Sequence, residues 1–125
     1  MIRAKPEITS DPWVYPAVDL DRIDWPVMQP VIEVVAETFK AHGYEAVISC
    51  GCEVFKTNSS GQIRRFIHSL RSLHYRGRAL DFSCHGIPMF DRVVIQHEIQ
   101  EKLDKIAEWY EVILHGHFHI EFDEK

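Results

Sequence analysis

The amino-acid sequence predicts an α+β domain in which a small antiparallel sheet with a C-terminal hairpin is flanked by two main helices. Two segments repeat apolar residues at the spacing of an α-helix, and the last segments alternate apolar and polar residues as half-buried strands do. The chain has 125 residues, which suffice for one hydrophobic core and are too few for two ordinary domains. We therefore expect a single domain over residues 1–125.

The N-terminal half begins with an extended arm, residues 1–26, because its four prolines oppose a regular helix. Residues 27–42 follow as an amphipathic helix, with Pro30 in the first turn and Gly43 as the stop. The apolar residues of this helix that recur at helical spacing are Met28, Ile32, Val35 and Phe39. A short β-prone strand, residues 44–49, then runs into a long polar loop.

The third predicted segment is a strand over residues 79–83. It places Leu80 and Phe82 on one face and Asp81 on the other. Asp91 is the expected N-cap of a second helix. The apolar residues of this helix repeat at Ile95, Ile99, Leu103 and Ile106.

The chain ends in a predicted hairpin, with strands over residues 110–114 and 117–122 and a two-residue turn between them. Because successive strand residues point to opposite faces, the last strand separates a core set from a polar set. The core set is Phe118, Ile120 and Phe122, and the polar set is His117, His119 and Glu121. Two histidines two residues apart are a weak metal signal on their own, since exposed strand faces commonly carry such residues.

Composition and charge exclude several classes of protein. The net charge is −5, from 14 basic and 19 acidic residues, which argues against a nucleic-acid-binding protein. No apolar run reaches the roughly 18 residues needed to span a membrane. The 3 cysteines are an odd set, which argues against a disulfide scaffold. We expect a monomer made in the cytoplasm without a signal peptide, because the N-terminus has no apolar core behind its basic residues.

The segment from His74 to Asp81 carries the second half of a metal-site pattern. His74 lies on a loop, Gly77 permits a close approach, and Asp81 projects from the polar face of its strand. His74 and Asp81 can therefore converge, and one histidine of the hairpin completes a set of two imidazoles and a carboxylate. Such a set is expected of a catalytic zinc with one position open for water, and it suits Zn²⁺ better than Mg²⁺ or Ca²⁺. We predict a zinc site on the polar face of the sheet.

The motif S-x-H-x-x-G-x-A-x-D runs from Ser72 to Asp81 and is followed by H-x-H at His117 and His119. This second half of the chain resembles the D-alanyl-D-alanine carboxypeptidase and hedgehog-type zinc peptidases, and in length it is similar to small phage and bacterial endolysin-like members. The resemblance implies that His74, Asp81 and His119 hold Zn²⁺ and that the substrate is a peptidoglycan peptide, cut beside a D-amino acid. It also implies action on the cell wall after release through a separate membrane pore.

One position departs from the family pattern. The family places a glutamate just before the H-x-H strand as general base on the zinc-bound water, and here His115 stands at about that place. A neutral imidazole can accept a proton from such a water, which makes His115 the predicted base, with Glu111 or Glu121 as substitutes. The alternative is a zinc-binding or cell-wall-binding relative that has lost its catalytic activity.

Three further features each have two interpretations. His117 is predicted to be catalytic, by polarising the substrate carbonyl or orienting the water, or else it is a simple neighbour of the zinc ligands. Ser72 either binds a substrate amide or caps a local turn. Residues 53–78, with 6 basic residues and 1 acidic residue, either line the approach of an anionic substrate or form a solvated surface.

Overall fold

The structure is a computed structural model that describes residues 2–4, 13–14, 18, 20–50, 55–58, 63–66 and 73–124. In these residues two helices pack against one face of a five-stranded sheet, which confirms the α+β class. The helices are α1 (Trp25–Ala41) and α2 (Met89–Asp104), and a short 3₁₀ helix spans Leu73–Arg76. The strands are β1 (Arg3–Ala4), β2 (Trp13–Val14), β3 (Val47–Cys50), β4 (Phe55–Asn58), β5 (Ile63–Phe66), β6 (Ala79–Ser83), β7 (Tyr110–Leu114) and β8 (His117–Phe122).

The main sheet has the order β1-β3-β6-β8-β7. Strands β3, β6, β8 and β7 pair in antiparallel fashion, as predicted, but β1 pairs with β3 in parallel. The sheet is therefore mixed, and the prediction of a purely antiparallel sheet was wrong at this edge. Two residues of the arm form β1, and the chain returns through α1 before β3, which is the long crossover that parallel neighbours need.

A second sheet of three strands has the order β2-β4-β5 and is antiparallel throughout. Strands β4 and β5 lie in the segment that the sequence analysis assigned to a long loop, so that assignment was wrong. Each of these strands has 4 residues. Polar residues stand in succession in both, Lys, Thr and Asn in β4 and two Arg in β5, so the sequence lacks the alternating apolar pattern that predicts a strand.

Helix α1 begins at Trp25, two residues before the predicted start, so the last two residues of the expected arm belong to it. Pro26 occupies its first turn. Pro30 was predicted to lie in the first turn, but it lies in the helix interior. The fully buried side chains of this helix include Met28, Val31, Val35 and Phe39. The ring of Phe39 meets that of Phe118 on β8 edge to face, with centroids 5.4 Å apart, which joins α1 to the sheet.

Helix α2 contributes Ile95, Ile99 and Leu103 to the core, as predicted. Its start differs, because Pro88 is the N-cap and Asp91 lies within the first turn, where its carboxylate accepts a hydrogen bond from the Tyr44 hydroxyl. The prediction of Asp91 as N-cap was therefore wrong. Ile106 lies beyond the helix end and is 51% exposed, so its predicted place in the apolar repeat of this helix was also wrong. Across the described residues, no helix is both long and apolar enough to cross a membrane.

The outer edge of β7 is bonded to two glutamines of α2. The side chain of Gln100 donates to the carbonyl of Tyr110 at 2.9 Å and accepts from the N–H of Val112 at 2.8 Å. Gln96 donates to the carbonyl of Val112 at 3.1 Å. These amides take the place that a further strand would occupy and satisfy three backbone groups on this edge, the carbonyls of Tyr110 and Val112 and the N–H of Val112.

Gly77 fixes the loop before α1 against the start of β6. It has a φ of +70°, and its carbonyl accepts a hydrogen bond from the N–H of Asp24 at 2.9 Å. A Cβ atom at this position would lie 2.0 Å from the carbonyl oxygen of Arg22. The predicted close approach at Gly77 was meant to let His74 and Asp81 converge, whereas the contact that the structure describes is with the backbone of Arg22 and Asp24.

We expect Gly77→Ala to destabilise the fold strongly, because the new methyl group would meet backbone that cannot move without breaking the Asp24 hydrogen bond. Gly43→Ala is the matched control, since Gly43 has a similar φ of +83° and nothing within 4 Å of an added Cβ. The free energy of unfolding of the control should fall by about 1–2 kcal/mol, the cost of a left-handed backbone for a residue with a Cβ. That of Gly77→Ala should fall clearly more. Urea unfolding measures both, and equal losses would contradict this role of Gly77.

Candidate functional site

Asp81 and His119 lie directly opposite each other on neighbouring strands. The register of β6 and β8 pairs them, and it pairs Ser83 with His117 and Ala79 with Glu121. All of these side chains lie on the face opposite Phe82 and Phe118, as predicted from the strand alternation. The polar face of the sheet therefore gathers two histidines and two carboxylates on adjacent strands.

Direct contacts join these side chains. Nδ1 of His119 lies 2.8 Å from Oδ1 of Asp81, and Nε2 of the same ring lies 2.7 Å from Oε1 of Glu121. The second oxygen of Asp81 lies 3.3 Å from Nε2 of His117. Asp81 is buried and the two histidines are half-buried, so these polar groups interact in a medium that screens charge less than water does.

The surroundings of His119 favour its protonated form. Burial by itself lowers the pKa of His119, but the hydrogen bonds to Asp81 and Glu121 and their negative charges outweigh it and raise the pKa above its usual value. A proton on His119 in the metal-free chain offsets one of the two negative charges of Asp81 and Glu121. A metal ion bound between Asp81 and His119 would replace the proton on Nδ1.

We expect His119 to stabilise the metal-free chain in acid and less so in alkali. A histidine whose pKa is raised by folding contributes fully below its unfolded-state pKa, about 6.5, and this contribution is lost as the pH rises through the higher folded-state value. The melting temperature of His119→Gln should therefore fall furthest below that of the parent chain at low pH, with chelator present. His97→Gln, at an exposed position of α2, is the control, and a deficit that grows with pH would contradict this expectation.

The first motif is only partly described. His74 belongs to the 3₁₀ helix, which packs beside β6, and the carbonyl of Leu73 accepts a hydrogen bond from the N–H of Arg78 at 3.0 Å. The loop is thus held next to the strand that carries Asp81. The imidazole of His74 and the whole of Ser72 lie outside the described part of the chain, so their predicted roles stay predictions.

The hairpin turn brings His115 to the same cluster. The N–H of His115 donates to the carbonyl of His117 at 3.0 Å, and Gly116 takes a φ of +70°. Because the register pairs Leu114 with Phe118, three residues close the hairpin and not the predicted two. The ring of His115 is exposed, with its centroid 4.4 Å from that of His117 and 6.2 Å from that of His119. The three imidazoles therefore form one group at the end of the hairpin.

A groove of about 520 Å³ borders this group, and its lining includes Cys50, Asp81, Ser83, Arg92 and His117. Cys50 enters it because a bulge in β3 pairs this residue with Asp81. Sequence reasoning missed Arg92, because an arginine near the start of an amphipathic helix is indistinguishable from a solvated surface residue. Cys52, two residues after Cys50, lies outside the described residues.

Asp81 and His119 carry donor atoms of the kinds that zinc takes in proteins. A carboxylate oxygen and an imidazole nitrogen face each other, and Glu121 accepts a hydrogen bond from Nε2–H when the lone pair of Nδ1 is directed at a metal. Among the described residues no three His, Cys, Asp or Glu side chains form a metal-binding group. The His74 imidazole, the predicted third ligand, is outside that set.

Comparison with family models, with curated proteins and with solved structures gave no match.

Proposed function

We propose that this chain is a zinc-dependent peptidase that hydrolyses peptide bonds next to D-amino acids in peptidoglycan, as a small member of the D-alanyl-D-alanine carboxypeptidase and hedgehog-type superfamily. The proposal rests mainly on the contact between Asp81 and His119, whose nearest oxygen and nitrogen lie 2.8 Å apart beside a groove. Asp81 belongs to the first motif and His119 to the second. Glu121 on the far side of the ring supports it, because metal-bound histidines usually donate their other N–H to a carboxylate or carbonyl.

In this proposal His74, Asp81 and His119 would hold a zinc ion, which would supply an activated water and polarise the scissile carbonyl. His115 takes a proton from the nucleophile and passes it to the leaving amine, as a general base and then a general acid. His117, half-buried and 3.3 Å from Asp81, donates a hydrogen bond to the oxygen on which negative charge develops. Glu121 holds the His119 ring in one orientation and tautomer.

A second candidate function is a zinc-binding or cell-wall-binding relative without catalytic activity. His115 favours this alternative in two ways. Its imidazole is exposed to solvent, and it lacks the negative charge of the glutamate that the family places there. The negative charge of Glu121, the other carboxylate of the cluster, is engaged in a hydrogen bond with His119. In this alternative the same residues bind metal and wall peptide, and no bond is cleaved.

Digestion of purified peptidoglycan distinguishes the two functions. The zinc-loaded chain should release new amino termini from the wall, and chelator should stop the release until zinc is restored. Separation and mass analysis of the muropeptides identify the bond that is cut. Chain that sediments with the wall in a zinc-dependent manner without releasing products supports the second candidate, and release that persists in chelator contradicts zinc catalysis.

A further inference from the structure

A second cavity lies on the polar face of the main sheet, beside the groove. Its volume is about 420 Å³. The residues that line it include Arg3, Glu45, Val47, Ser83 and His85. Ser83 and His85 also line the groove, next to Asp81 and His117. The groove and this cavity are therefore continuous, and together they form one cleft that begins at the candidate catalytic cluster.

The register of four strands explains this continuity. Ser83 on β6 is paired with His117 on β8, and Arg3 on β1 is paired with Val47 on β3. The register of β3 and β6 places Val47 next to Ser83. Residues that lie opposite each other on neighbouring strands share a face of the sheet, so these four side chains form one row from His117 to Arg3. Neighbouring strands lie about 4.8 Å apart, which makes the row roughly 14 Å long.

An ion pair between Arg3 and Glu45 lies at the far end of the cleft. The two side chains are 66% and 55% exposed, and an ion pair exposed to this extent contributes little to stability. A ligand can therefore separate the pair at small cost. A ligand group that carries an amine and a carboxylate on one carbon would exchange this ion pair for two, because the guanidinium fork matches a carboxylate and Glu45 accepts from an ammonium group.

The cavity also offers apolar surface to the part of a ligand that leads to such a group. Val47 and Ile87 line it together with the charged pair. Methylene groups would pack on these two side chains, and removal of their apolar surface from water favours binding. The cavity thus suits a flexible aliphatic side chain with both charges at its end.

We propose that this cavity binds a wall-peptide side chain that ends in both an amine and a carboxylate, as the side chain of diaminopimelate does, an inference that rests on the proposed function. Arg3 holds the carboxylate and Glu45 holds the amine. With the scissile bond at the catalytic cluster, two residues of extended peptide, at about 3.3 Å each, and a long side chain span the roughly 14 Å to Arg3. A lysine at the same position of the peptide offers only the amine, so the cavity distinguishes two types of cell wall.

Binding of two matched tripeptides to the chelator-treated chain tests this inference. The probes are L-alanyl-γ-D-glutamyl-meso-diaminopimelate and the same peptide with L-lysine in the last position, which differ only in the carboxylate at the end of the side chain. The diaminopimelate peptide should bind about 5-fold more tightly, near the upper end for one exposed ion pair. Titrations followed by NMR chemical shifts measure both Kd values.

Two variants separate the contributions of the ion pair. Arg3→Gln should remove the preference for diaminopimelate, whereas Glu45→Gln should weaken binding of both peptides, because both carry the amine. Lys40→Gln and Glu33→Gln are the matched controls, since they remove the same charges at exposed positions of α1 on the other face of the sheet. Both controls should leave the two Kd values unchanged.

The binding assay requires no hydrolysis, so its outcome is independent of the proposed function. If wall digestion fails but the Arg3-dependent preference is present, peptidase activity is contradicted and the side-chain site stands. If the parent chain binds both tripeptides equally, binds neither at millimolar concentration, or keeps its preference in Arg3→Gln, the inference is overturned whether or not the wall is digested.

Discussion

Asp81→Asn should abolish stoichiometric zinc binding and reduce peptidase activity by about 10³-fold or more, which corresponds to several kcal/mol of transition-state stabilisation. The amide keeps the shape of the side chain but loses the negative charge that faces His119 at 2.8 Å and His117 at 3.3 Å. Elemental analysis of purified chain measures the metal, and digestion of peptidoglycan measures the activity.

The same variant should lose the stabilisation that zinc gives to the folded chain. A ligand at about 100 times its Kd stabilises by about 2.7 kcal/mol when it binds only the folded state, so zinc should raise the melting temperature of the parent chain but not of Asp81→Asn. Asp104→Asn at the exposed end of α2 makes the same chemical change far along the helix from the groove. If Asp81→Asn still binds one zinc per chain, Asp81 is not a ligand of the metal.

His115→Ala should lower turnover by about 10²- to 10⁴-fold, the range for loss of a general acid or base, while zinc stays bound. The ring of His115 lies 6.2 Å from that of His119, measured between centroids, and is exposed, so its removal leaves the predicted ligands and the core in place. His97→Ala is the matched control, because it removes an exposed imidazole from α2.

The pH dependence distinguishes an imidazole base from a carboxylate. A general base acts only when deprotonated, so activity falls as the pH drops through its pKa. A glutamate titrates about two units below a histidine in the reference state, so His115→Glu should retain activity and extend it into more acidic solution. Full activity in His115→Ala would show that His115 is only a turn residue, and Glu111, His117 and Glu121 would be tested next.

The sequence predicted the strands of the site better than its loops. Strand β6 and the hairpin formed with the expected bounds, because alternation has a period of two and one misplaced residue would have turned Asp81 and His119 into the core. These features depend on neighbours along the chain, which is the information that a single sequence carries.

Features that depend on distant parts of the chain were missed. Two residues suffice for β1, and no local pattern marks Arg3 as the partner of Val47. Asp91 had the chemistry of an N-cap, but its carboxylate is engaged by Tyr44, a residue 47 positions away. Arg92 shares the groove with Cys50 and His117, which lie far from it in the chain, and its own neighbours in sequence do not encode that packing.

The glutamines on the edge of β7 have a consequence for assembly. An uncovered edge strand invites backbone pairing with another chain, which leads to aggregation or to exchange of strands between molecules. Here β8, which bears His117 and His119, is separated from that edge by one strand only. By acting as a surrogate neighbour for Tyr110 and Val112, Gln96 and Gln100 stop the sheet from growing there. Helix α2 therefore protects the histidine-bearing hairpin from intermolecular pairing while its opposite end supplies a wall of the groove.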